Sequence, residues 1–122
     1  MSIPAQSYKE ITTLEERKRR SNSLLKKYSD KIPVIIEKSS KDKYLPNIDK
    51  SKLLVAHNMT ISNIIQLLKN NLKVNEYSAI YIMVPDKNIM LSGSQSIESV
   101  YKDNKNEDGF LYLEYCTENV FG

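Results

Sequence analysis

The chain has 122 residues, 40% of them hydrophobic and 27% charged, which is typical of a single soluble globular domain. No apolar run approaches the ~20 residues that a membrane-spanning helix requires, and residues 1–10 lack the charged-then-apolar layout of a signal peptide. The only cysteine, Cys116, excludes an internal disulfide, and the net charge of +3 is modest. These features favour the cytosol or the nucleus.

The first 30 residues predict helix. Thr13 and Glu16 have the spacing of a capping box, which marks the start of an amphipathic helix that runs to about residue 30. A shorter helical turn is expected at residues 7–11. The apolar stripe of the longer helix is predicted to consist of Leu14, Leu24, Leu25 and Tyr28.

Two strands follow the helix. Residues 31–38 form a short β-branched run, with Ile32, Val34 and Ile36 on one face and Pro33 and Ile35 on the other. Because both faces are apolar, either the strand is covered on both sides or one side is a binding surface. Residues 39–51 predict a loop, and residues 52–57 predict a second strand, antiparallel to the first and also apolar on both faces.

The clearest helix begins after Thr60, which can cap it. Its apolar residues recur at helical spacing, whereas Leu67 lies beside the stripe, where a side chain is either core margin or the lining of a surface groove. The stripe consists of Ile61, Ile64, Ile65, Leu68 and Leu72.

The last third of the chain predicts three short elements and a final strand. Residues 78–91 predict two strands joined by a turn at 85–88, and residues 94–103 predict a short helix. Residues 109–116 predict the final strand, with Leu111, Leu113 and Tyr115 on one face and Phe110 and Tyr112 on the other. The order helix, then β-β-α-β-β-α-β, predicts an α+β roll of the ubiquitin type, extended at its N-terminus by helix.

No residue pattern indicates catalysis. One histidine, His57, and one cysteine, Cys116, lack a sequence context for a nucleophile and its base, so Cys116 is expected to be a small buried thiol. There is no Cys/His cluster for a metal and no Gly-rich phosphate loop. We therefore expect no enzyme activity, no catalytic residues, no metal and no cofactor.

Basic side chains cluster in the predicted N-terminal helix and just after it. Their ordinary explanation is a solvated helix face, and the alternative is a surface for anionic lipid, nucleic acid or acidic peptide. No aromatic stacking platform is interleaved with them, so nucleic acid is not an expected partner. The cluster consists of Arg17, Lys18, Arg19, Arg20, Lys26, Lys27 and Lys31.

Three segments closely resemble the autophagy-related protein 8 family of ubiquitin-like modifiers. They are "YSDKIPVIIEK" at 28–38, "LPNIDKSKLLVAHNMTISNIIQLLKNNL" at 45–72 and "EDGFLYLEYCTENVFG" at 107–122. The likeness extends over nearly the whole chain. It implies a ubiquitin-like β-grasp roll with two additional N-terminal helices, arranged as a single domain over 1–122: a helical extension at 1–29, a β-grasp core at 30–116 and a flexible tail at 117–122.

The resemblance also implies conjugation through Gly122, which matches the glycine that the family's ubiquitin-type activating and conjugating enzymes join to phosphatidylethanolamine. A glycine without a side chain suits a narrow enzyme channel and an attacking amine. The implied partners are these two enzymes, a deconjugating cysteine protease, cargo receptors and the lipid membrane. The protein is expected to be a monomer in the cytoplasm and to lie on the autophagosomal membrane once conjugated.

A two-pocket site for aromatic-x-x-aliphatic peptides is implied as well, with Lys31 positioned to contact acidic residues of the peptide. This assignment explains the apolar outer faces of the two strands and the position of Leu67. The aromatic pocket would consist of Leu24, Pro33, Ile35, Lys52, Leu54 and Phe110, and the aliphatic pocket of Leu53, Val55, Ala56, Met59, Ile64 and Leu67.

Four positions depart from the family pattern: Arg20, Ser29, Leu53 and Ala56. They bear on peptide preference more than on fold or conjugation. The alternative reading of the chain is a non-conjugated binding module of the same fold that tethers vesicles or cytoskeleton through its basic N-terminal helix.

Overall fold

A computed structural model describes residues 6–75 and 77–118, and it forms one mixed five-stranded sheet with four helices in that part of the chain. The strand order is β2-β1-β5-β3-β4. Strands β1 and β5 are parallel, and the other neighbours are antiparallel. In chain order the elements are α1 (Tyr8–Ile11), α2 (Leu14–Lys27), β1 (Lys31–Lys38), β2 (Lys52–Ala56), α3 (Ile61–Leu72), β3 (Tyr81–Val84), β4 (Ile89–Met90), α4 (Ile97–Asn104) and β5 (Leu111–Cys116).

The helices begin where capping side chains predict them. Thr60 and Asn63 form a complete capping box at α3, and Ser7 and Glu10 form one at α1. At α2 the side chain of Thr13 accepts the backbone N–H of Glu16 at 3.2 Å, as predicted. The Glu16 carboxylate, however, lies 3.9 Å from Arg20 on the next turn, so the predicted reciprocal bond is replaced by an ion pair within the helix.

The main core lies between the inner face of the sheet and α3. The predicted stripe of α3 is confirmed, since Ile61, Ile64, Leu68 and Leu72 are buried and Ile65 packs against the core. The inner face of the sheet supplies the residues that the alternating pattern assigned to it: Ile32, Val34 and Ile36 from β1, and Leu111, Leu113 and Tyr115 from β5. Burial of this set is the main favourable contribution to folding.

A second apolar cluster lies on the outer face of the sheet. Ile35 and Phe110 are fully buried there, beneath Tyr8 of α1, and Leu24 of α2 packs against them. The Tyr8 and Phe110 rings meet edge to face, with centroids 5.6 Å apart. Helices α1 and α2 thus cover part of the outer face of β1, which explains why this strand is apolar on both faces.

Helix α2 is joined to the sheet by polar contacts as well as by Leu24, and the apolar stripe predicted for it is only partly buried. Its one buried residue is Ser21, whereas Leu24 is half-buried and Tyr28 is 36% exposed. Arg17 Nε lies 2.9 Å from Asp108 Oδ2, and the Asp108 side chain is wholly buried. The same carboxylate accepts the Tyr112 hydroxyl at 2.5 Å and the Phe110 N–H at 2.9 Å. The Arg17–Asp108 ion pair thus joins α2 to the segment just before β5.

Gly109, just before β5, lies directly against Ser21 of α2. Its φ of +94° favours glycine, and a Cβ at this position would collide with the Ser21 hydroxyl. That hydroxyl donates to the Asp108 carbonyl. A side chain at this position would force the Ser21 hydroxyl to shift and would disturb this hydrogen bond.

Within residues 6–75 and 77–118, no helix is long and apolar enough to cross a membrane.

Candidate functional site

Strand β2 offers an open backbone edge. Among the described residues it pairs with β1 alone, in an antiparallel register that includes Pro33 opposite Leu54 and Ile35 opposite Lys52. The Ile36 N–H donates to the Ser51 carbonyl at 2.8 Å. Because bonded and non-bonded pairs alternate along an antiparallel ladder, the backbone groups of Lys52 and Leu54 point away from β1. An extended peptide can pair with groups directed in this way.

The predicted aromatic pocket maps onto one continuous surface. Pro33, Ile35, Lys52 and Leu54 share the outer face of β1 and β2, since directly opposite residues of an antiparallel pair lie on the same side. Phe110 and Leu24 complete the outer cluster with Ile35. Three residues are buried and form the floor, namely Pro33, Ile35 and Phe110, while Leu24, Lys52 and Leu54 retain exposed surface and form the rim.

The predicted aliphatic pocket lies on the other side of β2, beside α3. Val55 and Ile64 belong to the main core, at 3% and 0% exposure. Leu53, Met59 and Leu67 are half-buried and form the margin above them. Ala56 lies at the end of β2 opposite Lys31, which places it on the outer face. A peptide along β2 would therefore have one pocket on each side of the strand.

The cations near this groove fall into two groups. Lys31 is half-buried at the end of β1, and Lys52 is exposed on β2. Arg17 is less available to a ligand, because its side chain is only 11% exposed and its guanidinium is bonded to Asp108. The basic cluster predicted from the sequence is thus divided, since Arg17 and Arg20 have contacts within the protein and Lys18 and Arg19 are exposed on the helix.

A polar cleft of about 640 Å³ lies further along the same outer face, next to the predicted groove. Its walls include Lys9 and Glu10 of α1, Glu37 of β1 and Glu114 of β5. Burial raises the pKa of both Glu37 and Glu114, which are neighbours in the β1–β5 register. Glu37 also accepts the backbone N–H of Tyr8 at 2.8 Å, so it helps to hold α1 on the sheet.

The start of the C-terminal tail is fixed by Asp42. Its carboxylate accepts the Thr117 N–H at 2.6 Å and the Thr117 hydroxyl at 2.8 Å, together with the N–H groups of Tyr44 and Leu45. Burial by itself would raise the pKa of Asp42, but these hydrogen bonds outweigh it and lower the pKa. The resulting stabilisation is present above the ordinary pKa of the group and is lost as the pH falls through the lowered one. Gly122 lies outside the described residues.

Cys116 is poorly suited to nucleophilic chemistry. It is completely buried, and burial raises the pKa of its thiol to about 11. This agrees with the expected role of a small buried side chain. Within the described residues, no group of three or more His, Cys, Asp or Glu side chains is arranged to hold a metal.

Two features of the site were not assigned from the sequence. Tyr8 covers Phe110 from α1, and its hydroxyl accepts a hydrogen bond from Arg20 Nη1 at 3.1 Å. Asp108 fixes the position of α2, and therefore that of Leu24, relative to β5. The sequence signal for Tyr8 is weak, but a tyrosine directly after a capping serine places an aromatic ring on the first turn of a helix.

A helix packed across a mixed five-stranded sheet of this order, with two further helices before the first strand, defines a ubiquitin-like α+β protein. The sequence model described as "Autophagy protein Atg8 ubiquitin like" matches residues 16–122. The chain belongs to this family, whose members are ubiquitin-like modifiers.

Individual relatives agree with this assignment. Autophagy-related protein 8B of Oryza sativa subsp. indica is 40% identical over 116 residues, which cover 95% of each chain. Autophagy-related protein 8e of Arabidopsis thaliana is 39% identical over 115 residues, which cover 94% of this chain and 92% of the relative. The crystal structure of Trypanosoma brucei ATG8 matches with a TM-score of 0.85 at 26% identity, covering 93% of this chain and 95% of that one. The predicted ubiquitin-like fold is confirmed.

Proposed function

We propose that this protein is an autophagy modifier that is conjugated through Gly122 to phosphatidylethanolamine and recruits cargo receptors through aromatic-x-x-aliphatic peptides. Conjugation would require ubiquitin-type activating and conjugating enzymes, and its reversal a cysteine protease. The two acyl chains gained on conjugation suffice for stable membrane residence, whereas one chain gives only marginal binding. The unconjugated protein would lie in the cytoplasm and the conjugate on the autophagosomal membrane.

The observation that carries the peptide-binding half of this proposal is the open edge of β2 between two apolar surfaces. Backbone pairing along β2 supplies affinity that is independent of sequence, and the pockets supply specificity for two side chains. The aromatic pocket has a buried floor and an exposed rim, at Leu54 and Lys52 above Ile35 and Phe110. A buried aromatic anchor of this kind commonly dominates the binding energy of an interface.

The alternative is a non-conjugated binding module that tethers vesicles or cytoskeleton through the basic surface of α2. The structure weakens the support for it, because Arg17 is held by Asp108 and Arg20 is bonded to Tyr8. Lys18 and Arg19 remain exposed on the helix. Exposed single charges contribute little each, at most about 1 kcal/mol.

Titration with an aromatic-x-x-aliphatic peptide tests the groove. Leu54→Arg places a charge at the rim of the aromatic pocket, and we expect it to weaken binding by at least about tenfold, since the anchor residue contributes about 2 kcal/mol or more. Ile89→Arg is the matched control, because Ile89 is 60% exposed on β4 at the opposite edge of the sheet. Calorimetry should show normal affinity for this control. Equal affinity of both variants and the wild type would remove the groove from the proposal.

A further inference from the structure

The two cationic side chains at the rim of the aromatic pocket are hydrogen-bond donors. Arg20 lies one helical turn before Leu24, so the two share the face of α2 that borders the outer cluster. Arg20 Nη1 donates to the Tyr8 hydroxyl at 3.1 Å, and its guanidinium carbon lies 6.0 Å from the centroid of the Tyr8 ring. Tyr8 in turn packs on Phe110, which is part of the pocket floor. The guanidinium is thereby held beside the pocket.

The opposite rim of the pocket also carries a hydrogen-bond donor, the ammonium group of Lys52. Lys52 is exposed on β2 across from Ile35, on the same outer face. Guanidinium and ammonium groups donate hydrogen bonds and accept none. The carboxylate closest to Arg20 is that of Glu16, which is 3.9 Å from Arg20 Nη2 and is paired with it along the helix. The Tyr8 oxygen already accepts from Arg20, and its hydroxyl proton can be donated.

Aromatic side chains differ in what they bring to such a rim. The indole N–H of tryptophan can only donate, the tyrosine hydroxyl can accept, and phenylalanine needs no partner. A donor that is buried without an acceptor loses its hydrogen bond to water without replacement. On the basis of the proposed function, we infer that this aromatic pocket selects peptides with tyrosine or phenylalanine as the aromatic anchor over peptides with tryptophan, and that Arg20 determines this preference.

One interaction opposes this preference. A guanidinium can stack on an aromatic face, and tryptophan is the best partner for such a contact. Here the guanidinium carbon already lies 6.0 Å from the centroid of the Tyr8 ring, and Nη1 donates to the Tyr8 hydroxyl, so this cation has an aromatic partner within the protein. The indole N–H without an acceptor therefore decides the order in which the pocket binds tryptophan, tyrosine and phenylalanine peptides.

Three peptides that differ only at the aromatic position, with the same uncharged flanks, test the inference by calorimetry. We expect the tyrosine and phenylalanine peptides to bind about tenfold more tightly than the tryptophan peptide, as the cost of one unsatisfied buried donor requires. Arg20→Glu supplies an acceptor at the rim and should shift the Trp/Phe affinity ratio by about tenfold toward tryptophan. Arg19→Glu makes the same charge change on an exposed neighbouring residue and should leave the ratio unchanged.

Each outcome is decisive. Tryptophan binding as tightly as phenylalanine to the wild type would overturn the inference while leaving the peptide-binding groove intact. A tryptophan penalty that persists in Arg20→Glu, or that Arg19→Glu removes equally, would overturn the role of Arg20. Failure of all three peptides to bind the wild type would overturn the proposed function itself.

Discussion

Replacing Asp108 with alanine should lower the free energy of unfolding by about 3 kcal/mol, as expected when one partner of a buried ion pair is removed. The Asp108 side chain is wholly buried and bonded to Arg17, to the Tyr112 hydroxyl and to the Phe110 N–H. Its loss leaves Arg17, whose side chain is 11% exposed, without its carboxylate partner. Chemical denaturation with a two-state fit measures the change.

A matched variant separates this effect from simple loss of a negative charge. Asp103→Ala removes an exposed carboxylate from α4 and should change stability by no more than about 0.5 kcal/mol. Adding Arg17→Met to Asp108→Ala removes the uncompensated charge, so the double variant should recover part of the lost stability. Near-equal stability of Asp108→Ala and Asp103→Ala would show that the buried pair does not hold α2.

Deleting Gly122 should abolish the lipid-conjugated form completely. The proposed reaction uses ATP to activate the carboxylate of this glycine and then forms an amide with the amine of phosphatidylethanolamine. After the deletion the terminal carboxylate belongs to Phe121, whose side chain crowds the reacting carbonyl. Reconstitution with the activating enzyme, the conjugating enzyme, ATP and vesicles, followed by a gel-shift assay and mass spectrometry, measures the product. Gly122→Ala should give slower conjugation, because a methyl group crowds the reacting carbonyl.

The same deletion should leave the folded domain unaltered, since the removal of a terminal residue costs little packing. Its unfolding temperature and its affinity for an aromatic-x-x-aliphatic peptide should match those of the wild type. A lipid-conjugated product from the deletion variant would refute the attachment point. Loss of both conjugation and peptide affinity would instead indicate damage to the domain.

The strands and the central helix could be predicted because local pattern and tertiary environment agree. The run at 31–38 alternates apolar residues on two faces, and β1 occupies exactly these residues, Lys31–Lys38. Helix α3 follows its apolar period from Ile61 to Leu72, with Thr60 as its cap. In β1 and α3, the buried positions follow from residue type and spacing alone, and both can be read from a single sequence.

The packing of α2 could not be predicted in this way. Its buried residue is Ser21, and its ion-pair partner Asp108 is 91 positions away from Arg17 in the chain. A hydrophobicity pattern assigns basic residues to solvent, so it places Arg17 with the free cations. Contacts between distant polar residues depend on tertiary geometry, which the pattern does not contain.

The candidate groove was predictable in position but not in its chemical detail. The apolar outer faces of β1 and β2 indicated a surface, and the structure brings Leu24, Ile35 and Phe110 together there. The Tyr8 cover and the Arg20 bond to its hydroxyl depend on how α1 folds back onto the sheet. In the proposed site, these contacts would determine which polar groups a peptide meets.

Amide hydrogen exchange with and without a saturating aromatic-x-x-aliphatic peptide tests the central claim most directly, because β2 should gain a backbone partner. The N–H groups of Lys52 and Leu54 point away from β1 and should exchange about 100-fold more slowly when the free peptide is at 100 times its Kd. The Met90 N–H also faces outward, on β4, since Leu91 N–H bonds to Ile82 and the pairs alternate. The Met90 amide should keep its exchange rate. Slowed exchange at Met90, or peptide binding that leaves Lys52 and Leu54 unchanged, would contradict strand addition at β2.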